Sequence, residues 1–320
     1  MRIAAALLFV LGLFCGACGP GVGNNGDDDD DDDDGSDVDA GNNSGIDAPD
    51  VAAEQCRKMD LIFVVDDSGS MEEEQSNLAA NFPMFAQTLN NYTISTGEQL
   101  DYRAGVTTSG VTAMVTIQPP MIPGFPPLPP IQQNQTGDDG RFRTTSGMPR
   151  PWLERNDPNM SQMFATIANV GTSGPGLEMQ LRAAELAMTA NAGFMRDDAL
   201  LGIVIITDED DCSRRATSFT SAGDGCATNG DVVTPPAEFI TQFDTIKGDR
   251  GRWAAAIIAA QQNCSSAFGD AAEGIRLKQF QQQAGTNAVF GDICAGNLQT
   301  ALTQALDTFQ AACDNFPPID

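Results

Sequence analysis

The chain has 320 residues, 41% of them hydrophobic, no histidine, and a formal charge of −27 at neutral pH. The hydrophobic share suffices for a globular core. The absence of imidazole excludes Ser-His-Asp and Cys-His catalysis, zinc sites with His ligands and haem held by His, and the acidity disfavours any phosphate-backbone partner such as nucleic acid.

The charge is uneven. Residues 1–55 carry Arg2 against twelve Asp and Glu54, a net of −12, which leaves −15 for residues 56–320. Arg2 is followed by an apolar run over 3–14 that is too short to span a bilayer comfortably, the pattern of an export signal. Phe14, Cys15, Gly16, Ala17 and Cys18 then resemble a bacterial lipobox, with Cys15 where leucine is common. The expectation is a lipoprotein-type signal peptide over 1–18, cleaved before Cys18, whose thiol is then acylated; an ordinary signal peptide cut nearby is the alternative. Such a protein sits in the bacterial cell envelope, as an outer-membrane lipoprotein, and meets the membrane through its lipid anchor only. Residues 19–55 are Gly, Asn, Asp and Ser around an unbroken Asp run at 27–34. A segment so charged and so poor in apolar side chains is expected to be a disordered spacer, with weak calcium binding as a second reading. Six further cysteines remain: Cys56, Cys212, Cys226, Cys264, Cys294 and Cys313. An even number in an oxidising compartment points to disulfides, with fifteen connectivities open.

Residues 56–320 read as one folded domain. Leu61, Ile62, Phe63, Val64 and Val65 form a continuous apolar run, the signature of a strand buried on both faces. Asp66, Asp67, Ser68, Gly69 and Ser70 make a tight polar loop. Helical spacing over 71–89 puts Leu78, Phe82, Phe85 and Leu89 on one side, with Glu72, Glu73 and Glu74 in the first turn, where they favour the helix dipole. Pro83 is expected to kink or split this helix. Strand-like runs follow at 103–108 and 113–117, then a proline-rich surface loop at 119–130. A short helix is expected over 161–170, a loop at 171–176, and a helix over 177–189 with Leu177, Leu181, Ala184 and Met188 on one face. A second fully apolar strand at 200–206 ends in Thr207, Asp208, Glu209, Asp210 and Asp211. A strand at 253–260, a helix near 271–283, a strand at 287–293 and a helix over 298–312 complete the domain. Alternating strands and helices imply an open, mostly parallel, Rossmann-like doubly wound sheet with helices on both faces.

In such sheets ligands bind beyond the carboxyl ends of the strands, where strand order reverses. If the strands ending at Val65 and Ile206 are neighbours there, Asp66 and Asp208 face one crevice. Asp66, Ser68 and Ser70, at alternate positions of the loop, can converge three oxygens, and Thr172 can add a fourth. Hydroxyls supply oxygen without charge, so a hard cation held this way keeps a positive character and an open position toward an outside ligand.

These five residues are similar to the metal-ion-dependent adhesion site of von Willebrand factor A domains. The match comprises Asp66-x-Ser68-x-Ser70 after an apolar strand, Thr172 in a Gly-Thr loop before a helix, and Asp208 after a second apolar strand. The resemblance spans about residues 59–313. It implies a divalent cation, Mg²⁺ first with Ca²⁺ or Mn²⁺ as alternatives, and a protein ligand that offers it an acidic side chain. One departure is Glu209, Asp210 and Asp211 where many members have Gly after the distal Asp; Asp210 and Asp211 are candidates for a second ion. The resemblance also suggests disulfides Cys212–Cys226 beside the site, Cys56–Cys313 joining the chain ends, and Cys264–Cys294 from the remaining pair.

Other classes fit less well. A response-regulator receiver has no use for Ser68 and Ser70, and an aspartyl-nucleophile hydrolase lacks the second Asp at position 68. A serine nucleophile has no base near it in sequence, so the protein is not expected to be an enzyme. Helix capping by Ser68 and Ser70 is the structural alternative. Adhesion through the ion is the leading function, and an envelope assembly with a stabilising metal is the other.

Overall fold

Lys58–Val65 forms β1, with every residue after Lys58 buried. In the computed structural model this strand is flanked in parallel by β2 (Asp101–Thr108) on one side and β6 (Leu200–Ile206) on the other. β8 (Trp253–Ala259) joins β6, and β11 (Ala288–Asp292) joins β8, again in parallel. A two-residue strand, β5 (Leu153–Glu154), closes the other edge antiparallel to β2. The order is therefore β11-β8-β6-β1-β2-β5. The chain runs from β1 outward through β2 and returns to build the other half from β6, so the order reverses between β1 and β6. The structure describes residues 57–94, 97–119, 121–221, 226 and 233–317. All of these belong to the second of the chain's two units, Asp47–Asp320. The export signal, Cys18, the acidic spacer and Cys56 lie outside the described residues.

The unbroken apolar runs exist because each strand has two faces to bury. Phe63 and Val65 point into a core with α1 (Glu72–Asn91), α2 (Met160–Ala168) and α6 (Leu298–Cys313), through Phe82, Phe85, Phe164, Leu302 and Phe309. Ile62 and Val64 point into a second core with α3 (Gln180–Ala190), α4 (Pro236–Lys247) and α5 (Ile275–Ala284), through Leu181, Phe243 and Phe280. Three helices thus cover each face. Gly202 lets α6 lie close on the sheet: a Cβ there would come within 2.6 Å of Leu61 and 2.9 Å of Phe309. The alanine-rich β8 is a full strand because its two neighbours hold it in the ladder.

Three local expectations change, and the proline-rich segment is the surface loop expected. α1 runs through Pro83 as one helix and is not split. The run 113–117 is β3 (Ala113–Ile117) of a separate sheet, antiparallel to β4 (Ile131–Gln135) and parallel to β7 (Ser218–Ser221). The proline-rich segment is the connection from β3 to β4, and it leaves Met121 82% and Phe125 71% exposed. Residue 271 ends a small hairpin of β9 (Cys264–Ser266) and β10 (Gly269–Ala271), so α5 begins four residues later than expected.

Candidate metal site

β1 and β6 end side by side, with Val65 opposite Ile206 and the Asp66 amide donating to the Ile206 carbonyl at 2.9 Å. Asp66 is fully buried. Its Oδ1 accepts from the Ser68 amide at 2.9 Å and the Ser109 hydroxyl at 3.2 Å, and its Oδ2 accepts from the Thr207 hydroxyl at 2.5 Å. The Gln75 side chain, one turn into α1, donates to the Asp66 carbonyl at 2.8 Å and fixes the loop to the helix.

The Ser68 and Ser70 hydroxyls lie 2.8 Å apart. Neither serine caps the helix, since no side-chain cap bond is made at the start of the 3-10 turn Gly69–Met71 or of α1. The Ser70 hydroxyl instead reaches Asp208, which is 1% exposed and whose Oδ1 has no hydrogen-bond partner. Asp66, Ser68, Ser70 and Asp208 therefore come together at the switch point. Thr172 is half-buried in the 171–176 loop, which docks beside them through the Gly174 amide on the Asp67 carbonyl at 2.6 Å. A Cβ at Gly174 would lie 2.2 Å from Asp67 Oδ1, so any larger residue here would force the Asp67 carboxylate to move.

The site is electrostatically loaded. Burial, then the neighbouring Asp66 charge, pushes both Asp67 and Asp208 up to about 7. Burial raises Asp66 against the opposing hydrogen bonds from Thr207 and Ser68, and it raises Glu74 as well. No described ion pair involves Asp66, Asp67, Glu74 or Asp208. Arg143 lowers Asp67 only in part, and carboxylates and hydroxyls gathered without an ion-paired cation among the described residues form the donor set that a hard divalent cation takes.

Asp210 and Asp211 are placed differently. Asp211 Oδ1 accepts from the Leu181 amide at 3.0 Å, and its Oδ2 pairs with Arg276 at 3.1 Å. Asp210 Oδ1 accepts from the Arg276 and Leu277 amides at 2.8 and 3.3 Å. The two side chains thus serve the first turns of α3 and α5, and Asp210 Oδ2 alone has no partner.

Sequence reasoning missed Thr207, Ser109 and Glu178. Thr207 and Ser109 each directly follow a strand that flanks β1, a placement visible only once strand order is known. Glu178 is 1% exposed, beside the same cluster. A cleft of about 690 Å³ opens next to the site, between Gly176, Leu177 and Glu209 on one side and Val115 and Ile117 of β3 on the other.

Cys212 is bonded to Cys226 and Cys264 to Cys294, with Cα atoms 4.9 and 6.4 Å apart. Cys313 is also disulfide-bonded. Its expected partner, Cys56, lies outside the described residues. Asp292 comes close to the sulfurs of Cys264 and Cys294, but those sulfurs are bonded to each other and hold no ion. These bonds belong to an oxidising compartment. Among the described residues no helix is long and apolar enough to cross a membrane.

The fold and the site define a doubly wound α/β domain with a carboxylate–hydroxyl cluster at its switch point. No family model matches the chain, and no curated protein sequence is similar to it. Among solved structures it is similar to proximal thread matrix protein 1 from the mussel byssus with a zinc occupied MIDAS motif. That match has 13% identity, covers 80% of this chain and 46% of that one, and has a TM-score of 0.41. The pilus adhesin SpaC from Lactobacillus rhamnosus GG is similar at 12% identity over 81% of this chain and 31% of its own, with a TM-score of 0.41. Manganese-loaded TRAP protein of Plasmodium vivax is similar at 14% identity over 77% and 72%, with a TM-score of 0.33. The chain spans less than half the length of the first two.

Proposed function

We propose that this is an exported binding protein whose domain of von Willebrand factor A type engages an acidic group of a protein partner through a divalent cation. Asp66, Ser68, Ser70, Thr172 and Asp208 would hold the ion. The observation that carries this reading is the pairing of two buried carboxylates, Asp66 and Asp208, with Asp208 Oδ1 unpartnered and neither carboxylate in an ion pair among the described residues. A buried charge without compensation is strongly unfavourable, and a cation between them removes that cost. The ion supplies positive charge and open positions toward the partner; the chain's own residues hold it and keep the loop in place. Mg²⁺ is the leading ion, with Ca²⁺ and Mn²⁺ as alternatives.

The role is binding and not catalysis, in keeping with the absence of histidine. Acylation of Cys18 would tether the domain to the outer membrane through the spacer at 19–55. The test is metal content and Mg²⁺ affinity of the purified chain, wild type against Asp208→Asn. Bound metal in the wild type and a loss of at least tenfold in affinity in the variant support the reading. Equal, negligible binding in both overturns it.

A further inference from the structure

Glu178 is unlike the other carboxylates of the domain. It is 1% exposed, and neither of its oxygens has a hydrogen-bond partner, a combination found in no other described Asp or Glu. It cannot swing out to solvent, because its segment is clamped to the loop that follows β6. The Cys212 amide donates to the Glu178 carbonyl at 3.0 Å, Gln180 Nε2 donates to Thr207 Oγ1 at 2.8 Å, and the Leu181 amide donates to Asp211 Oδ1 at 3.0 Å.

The charged groups that face it are themselves negative. Glu209 comes within reach of the Glu178 carboxylate, and Asp66 lies behind it. None of the described ion pairs includes Glu178 or Glu209. Asp211, two residues beyond Glu209, already has Arg276. A cation shared by Asp66 and Asp208 neutralises those two carboxylates but does not supply the missing partners of the two Glu178 oxygens. Glu209 also lines the open cleft beside the site, which gives an ion a route in and water to complete its shell.

We infer that Glu178 and Glu209 are the carboxylate pair of a second divalent-cation site, adjacent to the one assigned to Asp66 and Asp208. Its all-oxygen donors suit a hard ion of the Mg²⁺, Ca²⁺ or Mn²⁺ class. The charge argument rests on the first ion being present, but the buried, unpartnered Glu178 does not.

The experiment is a Mn²⁺ titration of the full chain, with bound ion counted by equilibrium dialysis and elemental analysis. It compares wild type, Glu178→Gln, Glu209→Gln and Asp208→Asn, each checked for folding by circular dichroism. Two ions in the wild type, falling to one in each variant, is the expected result. One ion in the wild type, lost in Asp208→Asn and kept in both glutamine variants, overturns the second site and leaves the first standing. One ion lost in the glutamine variants and kept in Asp208→Asn supports the Glu178 site and overturns the first. No bound ion in the wild type overturns both.

Discussion

The Thr207 hydroxyl donates to Asp66 Oδ2 at 2.5 Å, across the seam where β1 and β6 end together. Thr207 Oγ1 in turn accepts from Gln180 Nε2 at 2.8 Å and from the Glu209 amide at 3.2 Å. One side chain thus ties the Asp66 loop, the first residue of α3 and the loop after β6 to a single point. The carboxylate that starts the candidate site is oriented by the strand next door and not by its own loop alone.

Replacing Thr207 by valine keeps the shape and removes the hydroxyl. Asp66 Oδ2 and the Gln180 amide are then left buried without their partner, which costs about 1–3 kcal/mol. Denaturant unfolding should show that loss in Thr207→Val and recovery of most of it in Thr207→Ser. A valine variant as stable as wild type would show that the network does not hold the loop.

Arg276 and Asp211 are both nearly inaccessible, and Arg276 also donates to the Thr234 carbonyl at 2.6 Å. Removing one member of a buried pair leaves an uncompensated charge, at a cost of about 3–5 kcal/mol. Arg276→Gln is expected to lose stability on that scale, because Asp211 also serves the start of α3. An unfolding midpoint within error of wild type would contradict this.

Cys264 and Cys294 are 30 residues apart in sequence and close the hairpin of β9 and β10 onto the segment after β11. The double replacement Cys264→Ser with Cys294→Ser should lower stability by about 2–4 kcal/mol through the freedom it returns to the unfolded chain. Comparing oxidised wild type with the double variant by thermal unfolding gives the value. No difference would mean that other contacts already hold this region.

Asp244 accepts from Arg250 Nε and Nη2 at 2.6 and 2.7 Å and from the Trp253 indole at 2.8 Å. The Arg250 bonds, then that of Trp253, hold its carboxyl below the ordinary 3.8 in spite of partial burial. A carboxyl depressed by folding contributes stability that is fully present above its unfolded value and is lost as pH falls through its folded value. The stability gap between wild type and Asp244→Asn should therefore be constant from neutral pH down to about 4, then close as the solution becomes more acidic. Urea unfolding across that range is the measurement; a gap that widens on acidification would reverse the assignment.

The sequence alone carried the architecture. The apolar runs ending at Val65 and Ile206 need a sheet covered on both faces, and the periodicity of 71–89 and 298–312 needs helices against it to bury those side chains. The Asp66, Ser68 and Ser70 loop was legible for the same reason: alternate polar residues directly after a buried strand have one edge on which to lie. Tertiary structure decided what each carboxylate does. Asp210 and Asp211 look like spare ligands in the sequence, yet they serve the first turns of α3 and α5, because those helices start where the loop after β6 passes. Glu178 looks like an ordinary residue near the start of a helix, yet it is buried without a partner beside Glu209. A residue's type and spacing fix what it is able to bind, whereas its burial and its neighbours come from strands and loops distant in sequence, and those settle which groups are already satisfied and which still need a counter-charge.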